Sequence, residues 1–481
     1  MQTKCIPLSR LLSLGRVAYT PVAVSNDRVF LWKDFVEDVM VLSTIIRKIG
    51  VGRWLLYSED TYRFTVGLFA LWHADSVAVL PPNFRQHTLD EMNNDLTGVV
   101  TDSKINLKNV PSISPIVSPL DSTFPVWEAL KKDVIQLEIF TSGSTGTRKV
   151  IKKTLANLES EVEEQEAEWG EKLGNSTIFS TVSHQHIYGL LFKVLWPLHA
   201  GRVFWNEILF SPNDLVAKLK TVDIACLVSG PAHLKRMPEL IDLSELGRNC
   251  RVIFSSGGPL NVGTSLIFAQ SAQLTPYEIL GSTETGGIAW RQQSPETVVE
   301  DMWKPFRKVE VEVELPDCFL KVRSPFFNEV ENEGWLLTGD IAEMAPDKSF
   351  VLKGRGDRVV KIEEKRLSLP DMEKRLESHQ WVDTAKIFLK EDPPYKRHRP
   401  PLTTLIVLSE SGKINFDQKQ IRETIGELKQ LLSKSFDPVL LPRYWKFVDQ
   451  LPEDALGKTT LSDLRDVMTK QKAKNERSTK S

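Results

Sequence analysis

The residues of this sequence with the clearest chemical potential lie in a short loop at residues 141–149 (TSGSTGTRK). Glycines let a backbone pass close to a ligand, hydroxyl side chains donate hydrogen bonds, and a lysine adds a point positive charge. This combination favours a polyphosphate ligand. The loop residues that carry it are Thr141, Ser142, Gly143, Ser144, Thr145, Gly146 and Lys149.

The loop lacks the spacing of a Walker A motif, which places Gly-Lys-Ser/Thr after four residues beyond its first glycine. Counted from Gly143, the second glycine would fall at Arg148. This spacing argues against a P-loop kinase or ATPase. Taken alone, the loop is also compatible with a plain flexible turn.

Four segments further along the chain combine a turn with a charged residue: residues 281–284 (GSTE), 337–340 (LTGD), 354–357 (GRGD) and 451–458 (LPEDALGK). Each is by itself only a turn with a charge, and a lone lysine in a loop is normally solvated. Together with the loop, in this order, they resemble the acyl-adenylate-forming superfamily of acyl-CoA and aryl-CoA synthetases, adenylation domains and luciferases. The resemblance spans residues 141–458 and is strongest for stand-alone bacterial AMP-dependent acid ligases.

The resemblance implies a role for each segment. Thr283 and Glu284 would face the nucleotide, and Glu284 would help to hold Mg²⁺, which prefers hard oxygen ligands. The Asp340 carboxylate would accept hydrogen bonds from the ribose hydroxyls, and Arg355 would approach the ribose or the phosphates. Lys458 would lie between the carboxylate substrate and the α-phosphate, where an ammonium group lowers the repulsion between two anions.

The same resemblance assigns Gly281 and Ser282 to the nucleotide site, and Gly257 and Gly258 to a wall beside the adenine. One position departs from the family pattern. An aromatic residue that stacks on adenine usually precedes Gly281, whereas this chain has Leu280. The departure puts tight and selective adenine binding in question.

Residues near the acyl group are less sharply defined by the sequence. His186 matches an aromatic or histidine position of the family near the acyl pocket, although a satisfied core histidine is an equal alternative and His184 could take either part. Phe192, Trp196 and Trp290 could line the acyl pocket or simply pack in the core. We therefore name His186 as a candidate catalytic residue beside Lys458 and Glu284.

Positioning these segments requires strands that end beside them. Short apolar stretches at 177–180, 224–228 and 252–254 each run into a turn of small residues and then a helix. In open α/β sheets, ligands sit beyond the carboxyl ends of the strands. The pattern predicts an α/β fold: a large N-terminal domain of sheets flanked by helices, plus a smaller mobile α+β C-terminal domain.

The expected domain boundary lies where a hairpin runs into residues 354–357. We predict an AMP-binding domain at residues 1–353, a lid domain at 354–468 with its hinge at Asp357, and a disordered basic tail at 469–481. Residues 159–171 hold seven glutamates and read as a solvated helix face.

Composition narrows the class of protein. The 481 residues carry a formal net charge of −2, which gives no general attraction to nucleic acid. The four cysteines are scattered without metal-site spacing, and no apolar stretch is long enough to span a membrane. The first 16 residues lack the apolar core of a secretory signal, so a cytoplasmic protein is expected.

The combined prediction is an AMP-forming ligase that uses ATP and Mg²⁺ to adenylate a fatty or aromatic acid. The acyl group then passes to a pantetheine thiol, that of CoA or of an acyl carrier protein. Two alternatives stay open: an adenylate-forming enzyme that makes no thioester, and a catalytically weak nucleotide-binding protein, which Leu280 favours.

The family usually has a small residue seven positions after the hinge, but this chain has Glu364 preceded by Glu363. Two carboxylates there would disfavour the phosphates of CoA and favour a carrier protein, unless they only pair with neighbouring basic residues.

Overall fold

A computed structural model describes residues 5–81, 89, 92, 95–105, 107, 110–116, 126–141, 149–293, 302–328, 333–362, 365–389, 402–418, 421–452, 464 and 467. Packing divides the chain into two units. The larger comprises Met1–Val311 with Val322–Leu336, and the smaller comprises Glu312–Lys321 with Leu337–Ser481. The smaller unit thus starts before residue 354, where the sequence predicted the domain boundary. That predicted boundary marks a hinge, and it stays a prediction.

Among the described residues of the larger unit, nine strands form one sheet. Numbered along the chain, they are β1 (Pro21–Val24), β2 (Val29–Leu31), β9 (Thr177–Ser180), β10 (Phe204–Trp205), β11 (Ala225–Ser229), β12 (Cys250–Ser255), β13 (Tyr277–Ser282), β14 (Gly286–Gln292) and β15 (Lys304–Pro305). Their spatial order is β15-β14-β13-β12-β11-β9-β10-β1-β2. The strands from β13 to β1 in that order are parallel, and β2, β14 and β15 pair antiparallel with their neighbours.

A second sheet of the larger unit has six strands within the described part of the chain, in the order β6-β5-β3-β4-β7-β8. They are β3 (Arg53–Tyr57), β4 (Val77–Leu80), β5 (Leu96–Thr101), β6 (Ser112–Ile113), β7 (Ile135–Thr141) and β8 (Lys149–Thr154). The first five are parallel, while β7 and β8 form an antiparallel pair. The short edge strand β6 lies in a stretch of the chain that is rich in Pro and Ser.

Helices connect and flank both sheets. They are α1 (Leu11–Leu14), α2 (Trp32–Ile49), α3 (Thr61–His73), α4 (Leu155–Leu173), α5 (Ile187–Gly189), a π-helical continuation (Leu190–Leu195), α6 (Trp196–Ala200), α7 (Pro212–Leu219), α8 (Pro231–Leu240), α9 (Leu243–Asn249) and α10 (Val262–Ser271). Asp60 begins α3 by accepting the amide of Arg63 at 2.8 Å, which satisfies one free N–H of the first turn. This helix is buried on almost all sides because it packs against α2, β3 and β4.

The acidic helix α4 is only partly the solvated face that its composition predicted, because three of the seven glutamates in residues 159–171 are buried. Glu159, Glu161 and Glu164 have exposed fractions of 3%, 4% and 2%. Each carboxylate accepts a backbone N–H from a segment that is distant in sequence, which offsets the cost of burying its charge. The donors are Ser9 for Glu159 (2.5 Å), Gly287 for Glu161 (2.7 Å) and Arg307 for Glu164 (2.7 Å).

The smaller unit contains most of a four-stranded sheet in the order β16-β17-β18-β19, a two-stranded ribbon β20-β21 and a three-stranded sheet β22-β23-β24. The strands are β16 (Glu310–Glu314), β17 (Phe319–Arg323), β18 (Leu336–Met344), β19 (Phe350–Arg355), β20 (Val359–Ile362), β21 (Lys365–Ser368), β22 (Val382–Leu389), β23 (Leu402–Leu408) and β24 (Tyr444–Val448). Its helices are α11 (Leu369–Glu377), α12 (Glu410–Gln418) and α13 (Ile421–Ser433). Met372, Leu376, Ile406, Leu428 and Leu432 form the centre of its core, all with exposed fractions of 0%.

Candidate functional site

The carboxyl ends of four neighbouring strands bring two groups of predicted nucleotide residues of the larger unit to one edge. Strands β9, β11, β12 and β13 are adjacent and parallel, so the turns that follow them lie side by side. The turn after β12 carries Gly257 and Gly258, and β13 ends at Ser282, directly before Thr283 and Glu284. This is the edge at which open α/β sheets bind ligands.

The predicted phosphate loop connects β7 to β8. Thr141, the last residue of β7, stands opposite Lys149, the first residue of β8, so the loop begins and ends at neighbouring points. Ser142, Gly143, Ser144, Thr145 and Gly146 lie outside the described residues, and their roles stay predictions.

Lys149 reaches from the second sheet to the turn that follows β13. Its Nζ lies 3.8 Å from Oε1 of Glu284, with side-chain exposed fractions of 62% and 28%. Two motifs that stand far apart in the sequence therefore meet at one place. A partly exposed cation beside a partly exposed carboxylate can serve phosphate oxygens and a metal ion at the same time.

A compact network of hydroxyl groups shapes the turn that carries Glu284. The amide of Ser282 donates to Oγ1 of Thr285, and the amide of Thr285 donates to Oγ of Ser282, both at 3.1 Å. A side chain at Gly281 would place its Cβ 2.4 Å from the carbonyl oxygen of Gly286, so only glycine fits there. This hydrogen-bonded turn places the backbone that precedes and follows Glu284.

The turn after β12 leaves open space beside its glycines. Gly257 has a φ of +92°, and a Cβ at this position would meet nothing within 4 Å. Oγ of Ser256 donates to the carbonyl oxygen of Ile279 at 2.9 Å, which ties this turn to β13. Leu280, in place of the expected aromatic residue, is half-buried on β13 opposite Ala289.

The structure separates the two histidines that the sequence left open. His184 is fully buried; its Nε2 donates to the carbonyl oxygen of Ser58 at 2.9 Å, and its Nδ1 lies 3.1 Å from the hydroxyl of Thr61. Because a carbonyl only accepts, Nε2 carries the proton and Nδ1 accepts from the hydroxyl. Burial lowers the pKa of His184 to about 3, so this ring is a neutral structural group. His186, half-buried, precedes the first turn of α5, and its role beside the acyl group stays a prediction.

Phe192, Trp196 and Trp290 belong to a cluster of interlocked rings. Each packs on Trp169, with ring centroids 6.3, 6.3 and 6.1 Å from that of Trp169. The rings of Phe192 and Trp196 are tilted against Trp169, and the ring of Trp290 is edge-on. The structure thus gives these three residues a packing role, and lining of an acyl pocket stays a prediction.

Two predicted nucleotide residues pair within the smaller unit. Asp340 on β18 stands opposite Arg355 on β19, and NH1 of Arg355 lies 3.6 Å from Oδ1 of Asp340. A Cβ at Gly339 would lie 2.6 Å from NH2 of Arg355, so this glycine leaves room for the guanidinium. Only 17% of the Asp340 side chain is exposed, against 52% for Arg355.

Several predicted functional residues cannot be compared with the structure. Lys458, Glu363 and Glu364 lie outside the described residues, and of Asp357 only the backbone, in a short 3-10 turn (Gly356–Arg358), is described. Their assigned roles stay predictions.

Sequence reasoning missed two buried charged residues near this site, Lys153 on β8 and Glu161 on α4. Lys153 is fully buried, and its Nζ donates to the carbonyl oxygens of Glu284 (3.0 Å) and Phe326 (2.8 Å). The alternation of side chains along the strand could have indicated that Lys153 is buried, because it lies on the same face of β8 as the buried Ile151.

The described residues hold no cluster of three or more His, Cys, Asp or Glu side chains that could bind a metal ion. Glu284 offers a carboxylate at the predicted metal position. One carboxylate fits Mg²⁺ that takes its other ligands from phosphates and water. Nor does any helix in the described part of the chain have the length and apolar content needed to cross a membrane.

Comparison with known proteins defines the class. The chain matches the family described as AMP-binding enzyme over residues 15–319, more than half of its length, and it belongs to that family. This confirms the predicted resemblance to adenylate-forming enzymes. The match lies mainly within the larger unit.

Individual curated relatives are distant. The chain is 26% identical over 251 residues to 4-hydroxybutyrate–CoA ligase 1 of Metallosphaera sedula, an alignment that covers 47% of this chain and 43% of that protein. It is 23% identical to luciferin 4-monooxygenase of Nipponoluciola cruciata, covering 97% of this chain and 94% of that protein. Less than half of the first relative is therefore matched, whereas the second is matched along almost its whole length.

Solved structures share the fold over nearly the full chain. An ATP-bound RpMatB–BxBclM chimera superposes with a TM-score of 0.81 at 17% identity, covering 96% of this chain and 98% of its own. O-succinylbenzoate CoA synthetase of Bacillus subtilis, in complex with an acyl-adenylate, gives 0.77 at 18% identity, with coverage of 96% and 98%. The amide bond synthetase McbA of Marinactinospora thermotolerans gives 0.77 at 17% identity, with coverage of 96% and 99%. These likenesses confirm the predicted α/β fold with a large N-terminal domain of several sheets and smaller C-terminal sheets.

Proposed function

We propose that this protein is an AMP-forming carboxylic acid ligase. In the first half-reaction a carboxylate oxygen of the acid attacks the α-phosphorus of ATP, the bond to the bridging oxygen breaks, and pyrophosphate leaves. In the second, the sulfur of a pantetheine thiol attacks the acyl carbonyl, and AMP leaves while the thiol proton passes to solvent. The acid is of the fatty or aromatic class.

One observation carries this proposal: the contact between Lys149 and Glu284 at 3.8 Å. A partly exposed ion pair contributes little to folding stability, so its value lies in what it can bind. The lysine offers a charge to phosphate oxygens, and the carboxylate offers a hard oxygen to Mg²⁺. When bound, Mg²⁺ neutralises phosphate charge and so eases attack by an anion.

The remaining roles follow from the family resemblance. We assign Asp340 and Arg355 to the ribose and its neighbouring phosphates, Gly257 and Gly258 to the adenine side, and Lys458 to the charge that develops at the α-phosphate. O-succinylbenzoate CoA synthetase of Bacillus subtilis, a protein of this fold, has been solved with ATP and a magnesium ion. ATP and Mg²⁺ are accordingly the cofactors proposed here.

The cleavage position of ATP tests the proposal. The protein is incubated with Mg²⁺ and ATP and a panel of fatty, benzoic and cinnamic acids, and the products are identified. Acid-dependent release of pyrophosphate and AMP is expected, with a thioester when CoA or holo-acyl-carrier protein is added. ADP or orthophosphate would contradict the proposal, as would absence of acid-dependent turnover. An adenylate without a thioester would select the alternative of an adenylate-forming enzyme that uses another acceptor.

The identity of the thiol is a separate part of the proposal. Glu363 and Glu364 place two carboxylates shortly after the predicted hinge, where like-charge repulsion would disfavour the phosphates of CoA. We therefore expect the carrier protein to give the higher kcat/KM in a competition at equal thiol concentrations with the same acid. Glu364→Gly should raise the kcat/KM for CoA. A higher kcat/KM for CoA in wild type, together with no change of that value in Glu364→Gly, would contradict the carrier protein as the preferred thiol donor.

A further inference from the structure

Two buried ionisable side chains, Lys153 and Glu161, stand next to the proposed metal position without a role in the proposed chemistry. Their exposed fractions are 0% and 4%. They belong to β8 and α4, the strand and helix that directly follow the phosphate loop. Burying a charge is costly unless it is paired and hydrogen-bonded, so their partners indicate what they are for.

Those partners are the two ends of one turn. Nζ of Lys153 donates to the carbonyl oxygen of Glu284 at 3.0 Å, and the amide of Gly287 donates to Oε1 of Glu161 at 2.7 Å. Residues 284–287, called the 284–287 turn below, comprise the last two residues of the turn between β13 and β14 and the first two residues of β14. The backbone of the turn is therefore held by a cation at its start and by an anion at its end.

The turn also packs directly on the Glu161 carboxylate. Gly286 has a φ of +69°, and a Cβ there would lie 2.7 Å from Oε2 of Glu161. A Cβ at Gly287 would lie 3.3 Å from Oε1 of the same carboxylate. The two glycines allow this close approach, so the position of Glu161 fixes the path of the turn.

The two charges support each other. Burial lowers the pKa of Lys153 and raises the pKa of Glu161, and in each residue the charge of the other opposes that effect. Lys153 has a second anchor, the carbonyl oxygen of Phe326 at 2.8 Å, which ties β8 to the segment after β17 within the larger unit. Removing one member therefore leaves an uncompensated buried charge.

We propose that Lys153 and Glu161 are positioning residues that hold the 284–287 turn so that the Glu284 carboxylate stands beside Lys149, ready to receive the magnesium–nucleotide complex. The inference rests on the proposed function. In this proposal, the buried charges of Lys153 and Glu161 set the distance between Lys149, at the end of the predicted phosphate loop, and Glu284.

The primary test is Lys153→Met, which keeps the length of the side chain but removes its charge and its donors. The half-saturating Mg²⁺ concentration for acid-dependent pyrophosphate release should rise about tenfold or more, the loss expected for a charged hydrogen bond. The KM for the acid should stay within about twofold of wild type, since the acid does not contact the metal ligand. Lys153→Arg should restore most of the Mg²⁺ affinity.

Matched variants keep the test decisive. Lys152→Met removes the neighbouring lysine, whose side chain is 53% exposed, and should leave Mg²⁺ affinity unchanged. Glu161→Gln keeps an acceptor for Gly287 but removes the charge. The double variant Lys153→Met/Glu161→Gln should be less impaired than Lys153→Met alone, because no buried charge is left unpaired. If Lys153→Met does not fold, Glu161→Gln and the double variant carry the comparison.

Hydrogen exchange gives a readout independent of turnover. Amides of residues 283–287 should exchange faster in Lys153→Met than in wild type or Lys152→Met. Unchanged exchange of the turn, or unchanged Mg²⁺ dependence in a folded variant, would overturn the inference. A wild-type protein that releases no pyrophosphate with any acid would instead overturn the proposed function.

Discussion

At the scale of single residues, the charged side chains near the candidate site form one accessible pair and one buried pair. Lys149 and Glu284 meet where both remain accessible, so their interaction is screened and available to a ligand. Lys153 and Glu161 are buried, and each satisfies backbone groups that water cannot reach. The accessible pair suits binding, and the buried pair suits fixing geometry.

A first prediction concerns Lys458, assigned by resemblance to the adenylation step alone. Lys458→Ala should cut adenylate formation by a factor of roughly 10²–10³, since one contact to developing charge is typically worth about 3–4 kcal/mol. Thioester formation from supplied acyl-adenylate should persist. Single-turnover assays of each half-reaction measure the two effects, with Lys413→Ala, at an exposed lysine paired with Glu410, as the control. Equal losses in both half-reactions would refute the assignment.

A second prediction follows from the neutral, buried His184. Its pKa of about 3 lies below the ordinary value of 6.5, so the folded protein takes up its proton later than the unfolded chain as pH falls. Stability is fully present above about pH 6.5 and should decline below it, by up to about 1.4 kcal/mol per pH unit for this group.

His184→Asn should therefore flatten the fall in thermal unfolding temperature of the larger unit between about pH 6 and pH 4.5. His379→Asn, in the smaller unit, is the control and should leave that slope unchanged. A parallel slope in wild type and His184→Asn would show that the ring is not held neutral.

At the scale of elements, the strands were predictable where apolar runs are short and end in Pro or small residues. The apolar stretches at 177–180 and 224–228 coincide with β9 and, to within one residue at each end, β11. The carboxyl-end rule then placed the turn with Gly257 at the edge where β12 ends. These features are local, so the sequence carries them directly.

The environment of α4 was not predictable in the same way. A helix was predicted at residues 159–171, but all seven of its glutamates were assigned to a solvated face because composition does not reveal their partners. The amides that bind Glu159, Glu161 and Glu164 lie 150, 126 and 143 residues away along the chain. Only the tertiary fold brings those segments to the helix, as it does for the carbonyl oxygen that Lys153 binds.

A third prediction belongs to the carboxyl end of α4. Arg202, whose side chain is 5% exposed, donates to the carbonyl oxygens of Gly170 (2.9 Å) and Gly174 (2.6 Å) and also binds the carboxylate of Glu166. It thus caps the helix end and pairs a nearly buried charge. Arg202→Met should destabilise the larger unit by roughly 3–5 kcal/mol, because it removes the cation that balances the Glu166 carboxylate and the donor to the Gly174 carbonyl oxygen.

Urea denaturation followed by tryptophan fluorescence measures this loss. Lys308→Met is the matched control, because it breaks the exposed pair with Glu163 on the same helix and should cost at most about 1 kcal/mol. Similar denaturation midpoints for the two variants would contradict the capping role.

At the scale of the whole molecule, the chain is almost neutral, with a formal net charge of −2. Under the proposed function, attraction of an anionic nucleotide would therefore come from local groups such as Lys149 and Arg355 rather than from the overall field. Asp340 and Arg355 pair within the smaller unit, while Lys149 and Glu284 pair within the larger one. In the proposed two-step reaction, each step would use its own set of groups.

The last prediction therefore concerns the link between these steps, the segment at residues 354–357. Gly354 has a φ of +120°, and a Cβ at Gly356 would lie 1.9 Å from Cε1 of Phe319, so both glycines are needed for the observed backbone. Asp357 follows directly, and the resemblance names it as the hinge, which must absorb a change in φ and ψ. Asp357→Pro fixes φ near −65° and removes one N–H. We expect it to spare one half-reaction and depress the other, measured as pyrophosphate release and as thioester formation from supplied adenylate. Asp357→Ala keeps backbone freedom and should retain both half-reactions, whereas normal overall turnover of Asp357→Pro would rule out a hinge at this residue.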